Sequence, residues 1–252
     1  MAGPIICFSK VSKGYGEQPV LRDVSLDVAP GEFLTVIGRS GCGKTTLLKL
    51  VNGLLTPDRG QVLVQGRDVA AVDVVALRRR IGYAIQNVGL FPHMTVEKNV
   101  AYVPSISGLE GWKGDDRHRR VESLLRQVGL EPELARRFPR SLSGGQRQRV
   151  GIARALAANP DILLMDEPFG AVDEITREQL QRELLHIHVE RGITVLFVTH
   201  DIVEALKLGT RTLVLESGIV QQCAPPSQLL KAPATPFVEN LVCSSRTFQV
   251  RA

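Results

Sequence analysis

The chain has 252 residues, 44% of them hydrophobic and 23% charged, a balance typical of globular proteins with a sizeable core. No apolar run approaches the roughly 18 to 20 residues that a membrane span needs, and the N-terminus lacks the regions of a signal peptide, so we expect a cytosolic chain. The net charge of +5 is mild and the basic clusters are short, which favours solvated helix faces over a nucleic-acid track. The four cysteines have no C-x-x-C spacing, which argues against a metal site or a disulfide framework.

The first thirty residues alternate apolar and polar side chains in the manner of strands. We predict an antiparallel layer whose strands are joined by a turn at residues 13–16. Tyr15 stands in this predicted turn between two glycines. Its ring is expected to be exposed or packed on its own sheet, and stacking on an adenine base is the functional alternative.

An apolar strand at residues 33–37 is followed by the segment GRSGCGKT at residues 38–45. Its glycines let backbone N–H groups converge on an anion, and the helix that follows adds the positive end of its dipole. Lys44 would reach the β- and γ-phosphates of a nucleotide, and the hydroxyl of Thr45 would bind Mg²⁺. An ordinary glycine-rich turn is the alternative, which a complete match to this motif disfavours. We therefore expect a nucleotide site formed by Gly38, Arg39, Ser40, Gly41, Cys42, Gly43, Lys44, Thr45 and Thr46.

A further strand at residues 81–85 ends at Gln86, and the composition then changes. Residues 87–158 are more polar and helical in pattern, with predicted breaks at 89–92 and 103–105. Strand patterning resumes at 162–165, as if a sheet had been interrupted. The pattern predicts an inserted helical subdomain.

The segment LSGGQ lies inside this insert at residues 142–146, just before an apolar helical run. Ser143 and Gln146 have the spacing of a capping box, which a plain helix start explains. The adjacent glycines Gly144 and Gly145 are not explained in this way, because glycine destabilises an ordinary helix N-terminus. Close approach of a phosphate on a partner molecule is the sharper interpretation.

Two acids, Asp166 and Glu167, end the buried strand at 162–165. Ligands of open α/β sheets bind at the carboxyl ends of strands. We predict that Asp166 faces Mg²⁺ and Glu167 a water beside the γ-phosphate, and an ordinary strand-end turn is the alternative.

His200 follows the last parallel strand, at residues 194–198, and is predicted at the same sheet edge as Gly38, Gln86 and Asp166. A lone histidine there is unremarkable, but four polar residues beside a phosphate loop make a site. Beyond residues 225–226, a short helix predicted around residues 228–230 leads to a tail of weak periodicity at residues 234–252, to which we assign no chemistry.

The order of these motifs resembles that of the ATP-binding subunits of ABC transporters over roughly residues 5–225, and the LSGGQ segment is specific to that superfamily. The resemblance implies an α/β fold of the P-loop NTPase type, with a RecA-like core of mainly parallel sheet, an N-terminal antiparallel layer and an inserted helical subdomain. It places the ATP-binding domain at 1–228, with the core at 1–86 and 159–228, the helical subdomain at 87–158 and a C-terminal tail at 229–252.

The resemblance also implies a head-to-tail homodimer that sandwiches two ATP molecules with Mg²⁺. Each nucleotide would contact the phosphate loop of one subunit and residues 143–145 of the other, which explains the adjacent glycines. The resemblance implies that Tyr15 stacks on adenine and that the nucleotide is contacted by Ser143, Gly144, Gly145, Gln146 and Asp173. It assigns catalysis to Glu167, His200, Lys44 and Gln86. It assigns metal binding to Thr45, Gln86 and Asp166.

Residues 82–96, 165–173 and 199–206 look most like ATPase subunits of bacterial importers for osmoprotectants such as glycine betaine, carnitine and choline. This likeness implies two integral-membrane permease subunits, an extracytoplasmic substrate-binding protein and a place on the inner face of the membrane. The printed sequence stops at residue 252, so we expect no paired regulatory domains after the ATPase, and Val172 stands where leucine is usual. The alternatives are an importer ATPase for another solute, a soluble ABC ATPase and a non-hydrolysing regulator.

Cys42 lies inside the phosphate loop, where N–H groups and Lys44 would favour a thiolate. The functional interpretation is a reactive thiol whose modification blocks nucleotide entry. A small loop filler that tolerates serine is the alternative.

Phe91 and Met94 are apolar residues in a segment too short to have its own core. Such residues suit the helix of a partner. The resemblance implies that this partner is a short cytoplasmic helix of the permease. Burial of Phe91 within the subunit is the alternative.

Overall fold

The structure is a computed structural model that describes residues 3–86 and 88–249. Residues 1 and 2, Asn87, at which the predicted helical subdomain begins, and residues 250–252 of the predicted tail lie outside the described residues. The strands are β1 (Ile6–Tyr15), β2 (Gln18–Val28), β3 (Phe33–Ile37), β4 (Arg59–Val64), β5 (Arg67–Asp68), β6 (Ile81–Ala84), β7 (Ile162–Asp166), β8 (Thr194–Val198), β9 (Arg211–Glu216) and β10 (Ile219–Ala224). The α-helices are α1 (Lys44–Val51), α2 (Val74–Arg79), α3 (Val96–Val100), α4 (Tyr102–Ile106), α5 (Gly114–Gln127), α6 (Gly144–Leu156), α7 (Glu174–Arg191), α8 (Ile202–Leu208), α9 (Pro226–Lys231) and α10 (Pro236–Gln249).

The chain forms two compact units that do not follow sequence order. Unit 1 comprises Met1–Leu77 and Thr194–Ala252, and unit 2 comprises Arg78–Ile193. Strands β6 and β7 and helix α7 thus belong to the same unit as the inserted helices. The boundaries predicted from the sequence, at residues 87 and 158, stay a prediction.

Unit 1 contains an antiparallel sheet in the order β2-β1-β4-β5, as the alternation of side chains predicted. The predicted turn at residues 13–16 is wrong, because Gly14 pairs with Pro19 and Tyr15 with Gln18. The backbone N–H of Gly14 donates to Asp58 Oδ2 at 2.7 Å. The hairpin therefore turns one step later, through Gly16 at φ +60°.

The second sheet of unit 1 places β3 between β9 and β8, with both pairings parallel, and β10 runs antiparallel to β9. Every residue of β3 and of β8 is buried, as expected for parallel strands covered on both faces. Val36 pairs with Val198. The carboxyl ends of β3 and β8 therefore lie side by side, which brings the start of the phosphate loop and His200 to one edge.

Residues 236–249, for which the sequence predicted no ordered element, form helix α10 on unit 1. Val238 and Val242 are buried in a cluster with Ile37, Ala205 and Leu229. Ile37 is the last residue of β3, directly before the phosphate loop. The apolar face of α10 therefore completes the core beneath that loop.

Unit 2 pairs β6 with β7 in parallel and adds the inserted helices and α7. The predicted break at residues 103–105 is wrong, because Pro104 lies in the first turn of α4. Proline is tolerated there, since the N–H that it lacks would have no partner inside the helix.

We predict that Val238→Ala lowers the free energy of unfolding by about 2 kcal/mol, from two lost methyl groups and the cavity that they leave. The side chain of Val238 is 0% exposed, so α10 should contribute to the stability of unit 1. Denaturant unfolding measures the change. Val189→Ala, at a position that is 78% exposed, is the matched control and should have no measurable effect. Equal effects of the two substitutions would contradict the packing of α10.

Candidate functional site

The phosphate loop of unit 1 is closed by its own lysine. Lys44 is only 6% exposed, and its Nζ donates to the carbonyl oxygens of Gly38 at 2.8 Å and Arg39 at 3.1 Å. These bonds join the end of the loop to its beginning and form a ring that carries a positive charge. A loop of backbone N–H groups closed by a lysine ammonium group is suited to binding a phosphate group.

Close packing requires glycine at two positions of this loop. A Cβ atom at Gly38 would overlap the carbonyl oxygen of Leu215 in β9. Gly43 has φ +106°, and a Cβ there would lie 2.6 Å from Leu21 Cδ2. The loop therefore lies directly on its own scaffold at both ends.

Helix α1 begins at Lys44 and has Gly43 as its N-cap residue, which has no side chain to cap the helix. Because Gly43 provides no side-chain acceptor, an anion can approach the N-terminus of α1 closely. Thr46 is buried and Thr45 half-buried, while Arg39, Ser40 and Gly41 are exposed. The guanidinium of Arg39 lies 5.5 Å from the ring centroid of Phe237 in α10.

Cys42 is buried, which disfavours the predicted reactive thiolate. Burial raises the pKa of the Cys42 thiol, and this outweighs the charge of Lys44 and the hydrogen bonds from the backbone, which lower it. A raised pKa leaves less thiolate at neutral pH. The small loop filler is the better interpretation.

We predict that iodoacetamide labels Cys42 at least about 10-fold more slowly than Cys243 at pH 7, because burial limits both access and ionisation. Cys243 is exposed and Cys42 is buried. Peptide mass spectrometry of partly alkylated protein measures both rates, and the unfolded chain serves as the control in which they should converge. Equal labelling rates of Cys42 and Cys243 in the folded protein would instead support the hypothesis that Cys42 is a reactive thiolate.

His200 is exposed directly after β8, and the residues on either side of it are fixed. Thr199 Oγ1 donates to Glu204 Oε2 at 2.5 Å, and both side chains are buried. Asp201 is the N-cap residue of α8 and accepts from the N–H of Val203 at 2.8 Å. Sequence reasoning missed Thr199 and Glu204, although Asp201 directly before a short apolar helical run is a recognisable cap signal.

In unit 2 the predicted residues Gln86 and Glu167 meet. Gln86 Nε2 donates to Glu167 Oε2 at 3.2 Å, because β6 and β7 run parallel and end together, with Ala84 paired to Met165. Asp166 is buried at the end of β7. The pKa of Tyr83 is raised mainly by the burial of its own ring and secondly by the negative charge of Asp166. The two acids thus differ in environment, since Asp166 is enclosed and Glu167 hydrogen-bonds at the strand end. Their predicted roles toward Mg²⁺ and the attacking water stay a prediction.

Glu167 has φ +47°, a left-handed backbone that non-glycine residues rarely adopt. Strain of this kind persists where surrounding contacts hold it, and it is concentrated at functional sites. Gln148 of α6 contacts this segment: its Nε2 donates to the carbonyl of Glu167 at 3.1 Å, and its Oε1 accepts from the N–H of Ala171 at 2.9 Å. Sequence reasoning missed Gln148, because a glutamine among arginines on a polar helix has the pattern of a solvent-facing residue.

The capping box predicted at residues 143–146 is confirmed. The N–H of Gln146 donates to Ser143 Oγ at 3.1 Å, and the N–H of Ser143 donates to Gln146 Oε1 at 2.9 Å. The neighbouring glycines are not required by this packing. Added Cβ atoms at Gly144 and Gly145 would lie 3.9 and 3.4 Å from the nearest atoms of Ala171, which is ordinary contact.

Two other predicted nucleotide residues lie on exposed positions. Asp173 is the N-cap residue of α7 and accepts from the N–H of Thr176 at 3.0 Å, a bond that lowers the pKa of its carboxyl. Tyr15 is 49% exposed at the end of β1. Asp173 thus has a structural task in the subunit, and the ring of Tyr15 is accessible.

The segment that follows Gln86 is crosslinked by side-chain hydrogen bonds from Asn99, a residue that sequence reasoning missed. Asn99 is fully buried; its Oδ1 accepts from the N–H of Phe91 at 2.8 Å, and its Nδ2 donates to the carbonyls of Phe91, Met94 and Thr95. The ring of Phe91 is half-buried, with its centroid 4.7 Å from that of Tyr102. Phe91 is therefore neither a free surface residue nor a core residue.

The residues predicted to bind Mg²⁺ offer a hydroxyl, an amide oxygen and a carboxylate, and hard cations such as Mg²⁺ prefer oxygen ligands. Across residues 3–86 and 88–249, the His, Cys, Asp and Glu side chains form no cluster of three that could hold a metal ion. Among the helices that the structure describes, none combines the length and apolar composition needed to cross a bilayer.

A family profile described as ABC transporter matches residues 21–170. The chain belongs to the ABC transporter family. It is similar to a solved member titled "Dimeric Structure of MJ0796, a Bacterial ABC Transporter Cassette", with a TM-score of 0.83 and 36% identity over 88% of this chain and 98% of that one. This similarity confirms the predicted P-loop NTPase fold of ABC ATPase cassettes.

Two relatives within the ABC transporter family differ in what their names say they carry. The chain is 45% identical to the glycine betaine/carnitine/choline transport ATP-binding protein OpuCA of Bacillus subtilis (strain 168), over 96% of this chain and 63% of that protein. It is 47% identical to the sulfate/thiosulfate import ATP-binding protein CysA of Caulobacter vibrioides (strain ATCC 19089 / CIP 103742 / CB 15), over 96% of this chain and 71% of that protein. The chain thus spans less than two thirds of the length of OpuCA.

Proposed function

We propose that this chain is the ATP-hydrolysing subunit of an ABC import system that takes up quaternary-amine osmoprotectants such as glycine betaine. The observation that carries hydrolysis is the strained backbone of Glu167, whose carboxylate accepts from Gln86. A carboxylate held at the end of a strand in this way can orient and deprotonate an attacking water.

The roles proposed for ATP follow from the chemistry of each side chain. Lys44 and the N–H groups of the phosphate loop bind the phosphates, Tyr15 stacks on the adenine, and His200 contacts the γ-phosphate. Thr45, Gln86 and Asp166 hold Mg²⁺, which when bound neutralises charge on the β- and γ-phosphates. Glu167 accepts a proton from the attacking water.

The proposed homodimer is head to tail, with residues 143–145 of one subunit against the ATP of the other. Packing inside the subunit leaves Gly144 and Gly145 without a steric reason to be glycine, and Ser143 is exposed. Close approach of a partner's phosphate to their backbone supplies that reason. Gln146 and Asp173 belong to the same proposed interface.

The importer would include two integral-membrane permease subunits and an extracytoplasmic substrate-binding protein, with this chain on the inner face of the cell membrane. The name of OpuCA and the likeness at residues 82–96, 165–173 and 199–206 support an osmoprotectant. The identity with CysA favours a second candidate, an importer ATPase for another small solute such as sulfate. Uptake of radiolabelled glycine betaine and of sulfate by the chain reconstituted with its permease and receptor decides between them.

We predict that Glu167→Gln retains ATP binding and lowers turnover to a small residual rate, because the amide cannot accept the proton of the attacking water and the substitution removes one negative charge. The dimer should then persist with ATP trapped between its subunits. Size-exclusion chromatography with ATP and Mg²⁺ measures the dimer, and phosphate release measures turnover.

Glu190→Gln is the matched control, since Glu190 is an exposed acid of α7. The Glu190→Gln protein should hydrolyse ATP at the wild-type rate. A Glu167→Gln protein that is monomeric with ATP, or that turns over like this control, would rule out the proposed role of Glu167.

We predict that Phe91→Asp leaves basal hydrolysis within a few-fold of wild type and abolishes both transport and receptor-stimulated hydrolysis. The charge disrupts the contact between Phe91 and Tyr102 and thus the surface proposed to receive a permease helix. Because Phe91 is half-buried, a fall of a few degrees in Tm is also expected.

Phe138→Asp, at an exposed aromatic residue of the same unit, is the control and should transport normally. Normal transport by Phe91→Asp would refute the coupling role, and a large loss of Tm together with lost basal activity would assign Phe91 to the core.

A further inference from the structure

Gln148 bridges both ends of the short loop that follows β7. The carbonyl of Glu167 accepts from Gln148 Nε2 at 3.1 Å, and the N–H of Ala171 donates to Gln148 Oε1 at 2.9 Å. The Gln148 side chain is buried, so neither contact is exchanged freely with water. The loop is thus held at its first and its fifth residue by one amide group.

A primary amide satisfies both of these backbone groups. A backbone carbonyl needs a donor and a backbone N–H needs an acceptor, and the amide of glutamine offers one of each at one side-chain end. A carboxylate would accept from Ala171 but would place an oxygen against the carbonyl of Glu167. A thioether would leave both groups without a partner, which is unfavourable in a buried site.

The helix that carries Gln148 is itself fastened close to the proposed site. Arg154 donates from one guanidinium to the carbonyls of Val88 at 2.6 Å and Gly89 at 2.8 Å. Gly151 lies against Val88, and a Cβ there would be 2.7 Å from Val88 Cγ1. Helix α6 is therefore anchored on one side, and Gln148 reaches from a fixed base.

We propose that Gln148 is a positioning residue that holds Glu167 in its left-handed backbone conformation, with the carboxylate within reach of Gln86. Glu167 has φ +47° and accepts from Gln86 at 3.2 Å. Without the bond to its carbonyl, Glu167 would relax toward the backbone conformations that non-glycine residues prefer, and its carboxylate would move. This inference rests on the proposed role of Glu167 in hydrolysis.

The kinetic test compares Gln148→Met with Gln181→Met, which removes another buried glutamine of unit 2. We expect Gln148→Met to lower kcat by about 10- to 100-fold at an unchanged KM for ATP, because a small displacement of a catalytic group costs that much. The control should keep kcat, and both variants should lower Tm by a similar few degrees, because each replaces a buried glutamine amide with a thioether. A raised KM with normal kcat, or a kcat like that of the control, would overturn the proposal.

A double-mutant cycle shows whether Gln148 acts through Glu167. In the Glu167→Gln background, Gln148→Met should not lower the residual rate further, because the group that it positions is already gone. If the fold-losses in rate from the two substitutions multiply in the double variant, the proposal is overturned, and the loss of kcat in Gln148→Met reflects a general structural effect.

Amide hydrogen exchange tests the two contacts without any need for turnover. The N–H of Ala171 should exchange faster in Gln148→Met but stay protected in Gln148→Glu, which keeps the acceptor, while both variants lose the bond to the carbonyl of Glu167. Should Gln148→Met fail to fold, the isosteric Gln148→Glu carries the kinetic test with the same expected loss of kcat.

If the wild-type protein hydrolyses no ATP, the proposed function fails, and unchanged exchange at Ala171 in Gln148→Met would separately refute the positioning contact. Faster exchange with normal kcat would show that the contact exists but does not serve catalysis, which also overturns the proposal.

Discussion

The parallel pairing of β3 with β8 and β9 is the constraint on which the phosphate loop of unit 1 depends. All five residues of β3 are buried, and its register with Val195 and Arg211 on the neighbouring strands sets where the strand ends. Gly38 is the first residue beyond it and lies so close to Leu215 that no side chain fits. The chain must therefore turn at this point, and Lys44 closes the loop that results.

Helix α10 extends this support to the rear of the loop. Val238 packs with Ile37, the last residue of β3, and the ring of Phe237 lies under the guanidinium of Arg39. Interiors at this density transmit small displacements, because side chains cannot move independently of their neighbours. The C-terminal helix is for that reason part of the scaffold of the phosphate loop.

In unit 2 a hydrogen bond joins Gln86 and Glu167, and helix α6 contacts the backbone of Glu167 and the segment that follows Gln86. Gln148 binds the backbone of Glu167, and Arg154 binds the carbonyls of Val88 and Gly89. The same helix begins at the exposed Ser143. A rigid helix is suited to connecting the loops that it touches, because its hydrogen-bonded backbone does not bend locally.

Local sequence determined those parts of the protein whose physics is local. The phosphate loop, the capping box of Ser143 and Gln146 and the buried strands were predictable, because each depends on residue types at fixed short spacings. The placement of Gln148, Asn99 and Glu204 was decided only by the tertiary structure, since their partners lie 19, 8 and 5 residues away and a polar side chain carries no sign of which backbone it will meet. The thiol of Cys42 shows the same limit: its neighbours in the sequence favour ionisation, but burial, which only packing creates, raises its pKa.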